Sequence, residues 1–151
     1  MNLQLTVRKA DATDLAAITS MEQACFSEES FSRRQLKYLI TQAKADFLVS
    51  QVSDEITAFI VLLKRKTSRS MRIYSVAVSP AHRGKGLARL LLTEAEKLAR
   101  LNGNHYLTLE VSEVNHEAVR LYLRKGFEVF GERPAYYKNG SKALLMRKKL
   151  G

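Results

Sequence analysis

The segment from Arg83 to Ala88 combines basic side chains with two glycines at a point where a strand gives way to a helix. Upstream, residues 73–78 are rich in β-branched and aromatic residues, and Pro80 follows them, which is typical of a strand that ends in a turn. Downstream, apolar residues recur at helical spacing: Leu87, Leu90, Leu91, Ala95 and Leu98. Glycines let a ligand approach the backbone, and the free N–H groups and dipole of a helix start favour an anion. The segment therefore predicts a phosphate-binding site.

The spacing of the glycines narrows the choice of phosphate ligand. A P-loop needs two glycines five positions apart, followed by Lys and Ser or Thr, and this segment lacks that arrangement. A dinucleotide fingerprint needs three glycines near the start of a parallel unit, whereas this turn lies in the middle of the chain with two. The pattern [Arg/Gln]-x-x-Gly-x-[Gly/Ala] does fit, through Arg83, Gly86 and Ala88.

Three further side chains are candidates for chemistry. Glu110 ends an otherwise apolar strand, where a carboxylate is costly unless it opens onto a cleft, so it is either a general base or a rim residue paired with a cation. Tyr122 lies at helical spacing beside Leu121, a position typical of a core aromatic. Cys25 could act as an acyl-accepting nucleophile, but a lone cysteine on an apolar helical face is more typical of packing.

The elements that must position these residues alternate between strands and helices. The patterns predict strands over 3–9, 46–52, 56–64, 73–78, 106–111, 127–133 and 142–148. Helices are predicted to start at Asp11 or Thr13, at Ser32, after Gly86 and at Asn115, the last of them ending at Gly126. The order of elements predicts an α+β domain with a mixed sheet and helices on both faces, and residues 1–151 form one domain.

Composition limits the compartment and the partners. With 25 Lys and Arg against 15 Asp and Glu, the net charge is +10, and it predicts an anionic ligand or an acidic partner surface. Basic clusters are not interleaved with aromatics, so we do not expect direct nucleic-acid binding. No signal-peptide or membrane-spanning pattern is found, and the single cysteine suits a reducing cytoplasm. No His, Cys or Asp spacing suggests a metal site.

Taken together, these segments closely resemble the GNAT superfamily of N-acetyltransferases from about Arg8 onward. The resemblance rests on Val76-Ala77-Val78 before the turn, the turn itself, and Leu121-Tyr122 and Lys125-Gly126-Phe127 after it. The run from Leu109 to Phe127, followed by Tyr136-Tyr137 and Ala143-Leu144-Leu145-Met146, is most similar to the branch that acetylates the N-terminal alanine of a ribosomal protein.

The resemblance implies a fold, a co-substrate and roles for residues. It implies a mostly antiparallel sheet of six to seven strands with splayed central strands and about four helices. It implies acetyl-CoA as the acetyl donor, with direct transfer to a primary amine. Glu110 would be the general base, and Tyr122 would protonate the leaving thiolate. The residues implied to bind acetyl-CoA are Val76, Ala77, Val78, Arg83, Gly84, Lys85, Gly86, Leu87, Ala88, Arg89 and Asn115.

The acceptor amine is open at this stage. The resemblance favours a protein N-terminal α-amine, in a groove shaped by the early helices, the loop 65–69 and the loop of Tyr136-Tyr137, with Phe26 and Phe31 as further aromatic walls. The net charge leads us to expect a cationic groove, which suits a basic ribosomal protein poorly. A lysine side chain or a small amine is the alternative acceptor, and a CoA-binding regulatory module or a basic nucleic-acid adaptor is the alternative outside enzymes. We expect a monomer or a weak dimer.

Overall fold

The computed structural model describes residues 5–41, 44–64 and 68–151, with the side chain of Glu28 outside that description. Seven strands are formed: β1 Leu5–Lys9, β2 Ala45–Val52, β3 Glu55–Leu63, β4 Ser70–Val78, β5 Tyr106–Ser112, β6 Glu128–Arg133 and β7 Ala143–Lys149. Four α-helices accompany them: α1 Leu15–Phe26, α2 Arg33–Thr41, α3 Leu87–Leu101 and α4 His116–Arg124. The described elements confirm the predicted α+β class.

The strands form one sheet in the order β1-β2-β3-β4-β5-β7-β6. Every neighbouring pair is antiparallel except β4 and β5, which lie parallel in the centre of the sheet. A parallel pair needs a crossover, and α3 supplies it between β4 and β5. The predicted mixed, mostly antiparallel sheet is therefore confirmed.

Both faces of the sheet are covered by helices, as predicted. On one face, α3 and α4 pack over a core whose central members include Leu91, Leu92, Leu107 and Met146. On the other face, α1 and α2 pack over a second core that includes Ile18, Leu36 and Phe59. The central strands are apolar on both sides for this reason: residues 57–62 of β3 are buried without interruption.

Local chemistry confirms the predicted helix ends at Ser32, Asn115 and Gly126, whereas α1 begins at Leu15 after a 3-10 turn, Ala12–Asp14, that Asp11 caps. The Ser32 hydroxyl accepts from the backbone N–H of Gln35, and the Gln35 side chain accepts in return from the N–H of Ser32. Asn115 caps α4 by accepting from the N–H of Ala118 at 3.3 Å. Gly126, two residues after α4, has φ +94°, a conformation that favours glycine at a helix end.

Some expectations lie outside the described residues. The predicted start of the first strand at residues 3 and 4 and most of the basic loop 65–69 belong to this group. Among the described residues, none of the helices has the length and apolarity needed to cross a membrane.

A buried charge cluster joins α3, α4 and β7. Glu96 on α3 is 5% exposed and forms ion pairs with Lys125, at 3.1 Å, and with Lys148 on β7. Lys125 directly follows α4 and also donates to the Thr93 hydroxyl at 3.0 Å. Burial acts to raise the pKa of Glu96, but hydrogen bonds from Lys148 and Lys125 outweigh it and leave the pKa below its usual value. The cluster fixes the C-terminal end of α4 against the rest of the domain.

We predict that Glu96→Gln lowers the free energy of unfolding by about 2–4 kcal/mol at pH 7, because it leaves two poorly exposed lysines without their shared partner. The folded state holds the pKa of Glu96 below its unfolded value, so this stability is present above the unfolded pKa and is lost as pH falls through the folded one. Urea unfolding at pH 7 and at about pH 3.5 measures both effects.

The control is Glu94→Gln on the same helix. Glu94 pairs with Lys97 on the surface at 3.3 Å, and the side chain of that lysine is 61% exposed. We expect this change to alter stability by less than about 0.5 kcal/mol. Equal losses in the two variants would contradict a special role for the buried cluster.

Candidate active site

The central strands separate after three residue pairs. β4 and β5 are paired only through Ser70–Tyr106, Met71–Leu107 and Arg72–Thr108, although both strands continue beyond these residues. Directly after the last pair, the register between β3 and β4 shifts, so that Tyr74 is an extra residue on β4. A bulge of this kind bends its strand and increases the local twist. The bend accompanies the opening of a wedge between β4 and β5, which confirms the predicted splay.

A cleft of about 640 Å³ occupies this wedge. Strand residues from both sides of the opening line it, among them Tyr74, Val76, Glu110 and Ser112. Helices α1 and α4 close it from opposite faces, and the loop before β7 contributes two tyrosines. The structure brings together here all four predicted aromatic wall residues: Phe26, Phe31, Tyr136 and Tyr137.

Glu110 lies in this cleft beside the point where the strands part. Its side chain is 15% exposed and forms ion pairs with Arg72, at 3.5 Å, and Arg133, at 3.7 Å. A hydrogen bond to Glu110 raises the pKa of Tyr136 above its usual value. The cationic and hydrogen-bonding neighbours offset the cost of partly burying the carboxylate. Glu110 is thus both paired with cations, as a rim residue would be, and open to the cleft.

Tyr122 reaches the same cleft from α4. The residue is 9% exposed and packs its ring edge-to-face against Phe127, with ring centroids 5.7 Å apart. Burial raises the pKa of Tyr122 to about 12. Its hydroxyl therefore keeps its proton across the physiological range, which is the state that a proton donor requires.

Glu110 and Tyr122 approach the cleft from opposite faces of the sheet. Leu109 and Val111 point into the core beneath α3 and α4, so the side chain of Glu110 between them points to the other face. Tyr122 belongs to the core on the α3 and α4 face. A group held between β4 and β5 would therefore have a carboxylate on one side and a phenol on the other.

The turn that the glycine pattern singled out has a ready anion-binding geometry. Gly84 and Gly86 adopt φ +78° and +77°, and Gly86 caps α3 without any side-chain hydrogen bond to the helix start. The N–H groups of the first turn are thus left free for a ligand. A Cβ placed on either glycine would meet nothing within 4 Å, so the backbone surface is open. Leu87 is 6% exposed and packs in the core, so only its backbone can contact a ligand.

The edge of β4 offers backbone groups to the cleft. The carbonyl of Val78 accepts from the Cys25 thiol at 3.3 Å and lies 3.4 Å from the Arg83 guanidinium, so it points away from β3. Backbone groups two residues apart in a strand point the same way, so Val76 faces the same open edge. Ala77 alternates with them, and its side chain is buried beneath α1.

The basic residues of the turn separate into two groups. Arg83 folds back toward β4, with its guanidinium near the Val78 carbonyl and the Cys25 sulfur. Lys85 and Arg89 are exposed, and within the described chain neither forms an ion pair with an acidic side chain. Ala88 is half-buried beside them, and Asn115 lines the cleft at the start of α4.

The charge of the cleft differs from what the net charge led us to expect. The described charged residues that line it are three carboxylates, Glu22, Glu29 and Glu110, and one guanidinium, Arg72. The described lining therefore does not show the cationic groove that we expected, and most of the basic loop 65–69 lies outside the described residues. These three carboxylates and one guanidinium sum to a formal charge of −2, so the net charge of +10 comes from residues outside this lining.

Sequence reasoning missed two charged residues of this site. Arg72 precedes the predicted strand at residue 73, and its role as partner of Glu110 depends on the register of β4 against β5. Glu22 did carry a signal, since it follows Leu15 and Ile18 at helical spacing on the buried face of α1. Cys25 is half-buried at the cleft wall. Within the described residues no group of His, Cys, Asp or Glu is placed to hold a metal ion.

Comparison with known proteins identifies the family of this chain. The family model described as "Acetyltransferase (GNAT) family" matches residues 15–127, which include β4, the turn, α3, β5 and α4. The chain belongs to the GNAT family. The matched family is one of acetyltransferases, so residues 15–127 carry an acetyltransferase domain.

Relatives of this GNAT protein act on different acceptors. Streptothricin acetyltransferase from Streptomyces lavendulae is 33% identical over 104 residues, which cover 66% of this chain and 55% of that protein, so the chain spans about half of its length. A candidate ribosomal protein bS18-alanine N-acetyltransferase from Bacillus subtilis is 26% identical over 147 residues, which cover 97% and 96% of the two chains. These two names describe a small-molecule and a protein acceptor.

A solved structure confirms the fold. The ribosomal-protein-S18-alanine N-acetyltransferase from Escherichia coli superimposes with a TM-score of 0.88 at 23% identity, covering 98% of this chain and 95% of that one. The sheet and the four helices of this GNAT domain are thus those of a known enzyme architecture.

We predict that Gly86→Ala raises the KM for acetyl-CoA by about tenfold or more, because an L-residue at φ +77° strains the turn that presents the free N–H groups. Gly103→Ala is the matched control: Gly103 has φ +79° and open space where a side-chain carbon would lie, but it follows the far end of α3. Steady-state kinetics and thermal unfolding of both variants make the measurement.

Both variants should lose similar stability, about 1–2 kcal/mol, since the backbone strain is the same. Only Gly86→Ala should weaken acetyl-CoA binding. An unchanged KM in Gly86→Ala would show that this turn does not hold the donor.

Proposed function

We propose that the protein acetylates the N-terminal α-amine of a polypeptide by direct transfer from acetyl-CoA, with Glu110 as general base and Tyr122 as general acid. The observation that carries this proposal is the approach of Glu110 and Tyr122 to one cleft from opposite faces of the sheet. Acyl transfer to an amine needs one proton removed from the amine and one delivered to the leaving thiolate, so a base and an acid must both reach the reacting group.

The described residues fit acetyl-CoA along the whole wedge. The open edge of β4 at Val76 and Val78 offers backbone groups of the kind that pair with an extended amide chain. The free N–H groups at Gly86 and the start of α3 suit its pyrophosphate, with Lys85 and Arg89 as nearby cations. Asn115 lies on the opposite wall, where its side chain already accepts a hydrogen bond. When bound, acetyl-CoA supplies the activated acetyl group as a thioester.

Each protein group then has one task. An N–H on the β4 edge polarises the acetyl carbonyl. Glu110 accepts a proton from the acceptor amine, directly or through a water, as the new N–C bond forms. Tyr122 gives its proton to the sulfur as the C–S bond breaks, which its raised pKa allows because the hydroxyl is still protonated. An α-amine has a pKa near 8, so a modest base is sufficient.

The aromatic walls support a peptide acceptor. Phe31 stacks on Tyr74 with ring centroids 5.1 Å apart and planes at 11°, and Tyr136 meets Tyr137 edge-to-face at 5.0 Å. These rings form rigid sides for an extended chain, and the tyrosine hydroxyls add polar groups. The full-length similarity to the Bacillus subtilis relative supports the same acceptor class. We further propose a cytoplasmic location and a monomer or weak dimer, which remain predictions.

A small-molecule amine is the second candidate acceptor. The 33% identity to streptothricin acetyltransferase over 66% of this chain favours it. The lysine side chain of a protein is a third acceptor of the same chemistry. Membership of an acetyltransferase family, together with Glu110 and Tyr122 in one cleft, supports an enzyme over the non-enzymatic alternatives.

We predict that a peptide library presented with acetyl-CoA becomes acetylated on α-nitrogens, with a preference for particular first residues. Mass spectrometry with fragmentation assigns the acetylated nitrogen, and the same peptides with blocked α-amines provide the control. Acetylation confined to lysine side chains, or turnover of small amines without any peptide turnover, would contradict the proposed acceptor while leaving the enzyme class intact.

The pH profile tests the two proton-transfer roles. Because burial raises the pKa of Tyr122 to about 12, kcat/KM should rise as the acceptor amine loses its proton and should not fall before about pH 10.5. Tyr122→Phe and Glu110→Gln should each lower kcat about 100-fold or more. Tyr106→Phe, which removes a hydroxyl from a ring beneath Arg147 outside the cleft lining, is the matched control. A wild-type descending limb near pH 10 that Tyr122→Phe removes would contradict the raised pKa of Tyr122. An unchanged kcat in Tyr122→Phe would contradict its role as proton donor.

A further inference from the structure

The carboxylate of Glu22 is buried in the wall of the active-site cleft without a cationic partner. Glu22 lies on α1, is 1% exposed and lines the cleft. Its Oε2 atom accepts from the backbone N–H of Phe31 at 3.0 Å, whereas Oε1 has no hydrogen-bond partner in the described part of the chain. Burial raises the pKa of Glu22, and the hydrogen bond from Phe31 only partly opposes this effect.

The hydrogen bond from the backbone N–H of Phe31 to the Glu22 side chain does not require a charged acceptor. A glutamine at this position would present an amide oxygen of the same shape to the N–H of Phe31. A carboxylate instead adds a burial cost of several kcal/mol when it is left unpaired. Groups of this kind cluster at functional sites, where a ligand supplies the missing partner.

The other carboxylates of the cleft are compensated within the protein. Glu110 is paired with Arg72 and Arg133. Glu29 is exposed to solvent, and its Oε1 atom accepts from the backbone N–H of Lys138 at 2.7 Å. Of the three described carboxylates that line the cleft, Glu22 is the buried one, and it forms no ion pair with a described residue.

We propose that Glu22 binds a second cationic group of the acceptor, an alkylammonium distinct from the amine that is acetylated. Glu110 extends from β5 and Glu22 from α1, so one acceptor molecule that contacts both spans the cleft. The reacting amine lies at Glu110, and a second ammonium lies at Glu22 and neutralises its charge. The inference rests on the proposed role of Glu110, but it holds for a peptide and for a small molecule alike.

A second alkylammonium group can belong to a basic side chain of a peptide or to a small diamine. The experiment has one arm for each of these two sources. The first arm uses peptides that begin with Ala and carry Lys at position 2 or 3, each matched to the same peptide with norleucine. The second arm uses α,ω-diamines of three to six carbons, each matched to the monoamine of the same length. Initial rates at saturating acetyl-CoA give kcat/KM for every member, and mass spectrometry identifies the acetylated nitrogen.

We expect the wild-type enzyme to favour the dicationic member of at least one series by about tenfold or more, since an ion pair with a buried carboxylate is strong. Glu22→Gln should reduce this preference to within about twofold, while kcat/KM for the matched neutral members and the KM for acetyl-CoA stay close to the wild-type values. A preference in the peptide arm identifies a basic side chain near the N-terminus, and one in the diamine arm identifies a small polyamine-type acceptor.

Three outcomes would overturn the proposal. One is equal kcat/KM values of the wild-type enzyme for both members of every pair. This outcome is measured without any variant. Another is a preference that persists in Glu22→Gln, and the third is a preference removed by Glu29→Gln but not by Glu22→Gln. Turnover of the monoamines and norleucine peptides shows that the transferase activity is present, so failure of this inference is distinguishable from failure of the proposed function.

Discussion

The separation of β4 from β5 after three residue pairs is the constraint on which the rest of this structure depends. Two central strands that stop pairing leave a row of N–H and C=O groups without partners, which is costly in a protein interior. The chain supplies some partners itself, since the Val78 carbonyl is met by Cys25 and Arg83. An extended amide chain such as pantetheine has a backbone-like pattern of donors and acceptors that matches the remaining groups. The separated strands therefore support the proposed binding of acetyl-CoA independently of the proposed catalytic side chains.

The same separation explains how the two proposed catalytic groups, Glu110 and Tyr122, can reach one cleft. In a closed sheet, Glu110 and Tyr122 would be divided by the strands, because one belongs to each face. The wedge makes a passage through the sheet at this level, so a carboxylate and a phenol can act on one molecule from opposite sides. Arg72 sits at the last residue pair and reaches Glu110 at 3.5 Å, so it links the two strands where their backbone pairing ends.

The sequence predicted the elements and the turn because their signals are local, whereas the proposed roles of Glu110 and Tyr122 came from the resemblance to the family. Strand alternation, the caps at Ser32 and Asn115, and the glycines of the turn depend on neighbours within a few residues. The charge of the cleft is not a local property. Glu22 becomes a site residue only when α1 packs over the sheet, and Arg72 only through the register of β4 against β5. For this reason, net charge was a poor guide to the groove: +10 over the whole chain coexists with three carboxylates in the lining.

The distribution of charge also suggests how donor and acceptor are told apart. Acetyl-CoA is polyanionic, and the end of the wedge nearest the turn carries Lys85 and Arg89 with free helix N–H groups. Amine acceptors are cationic in water, and the described cleft lining on the other side is rich in carboxylates. A gradient of this kind orients both substrates before contact and opposes the entry of either from the wrong end. It also places the developing positive charge of the attacking amine in the negative part of the field, where an anionic wall stabilises it.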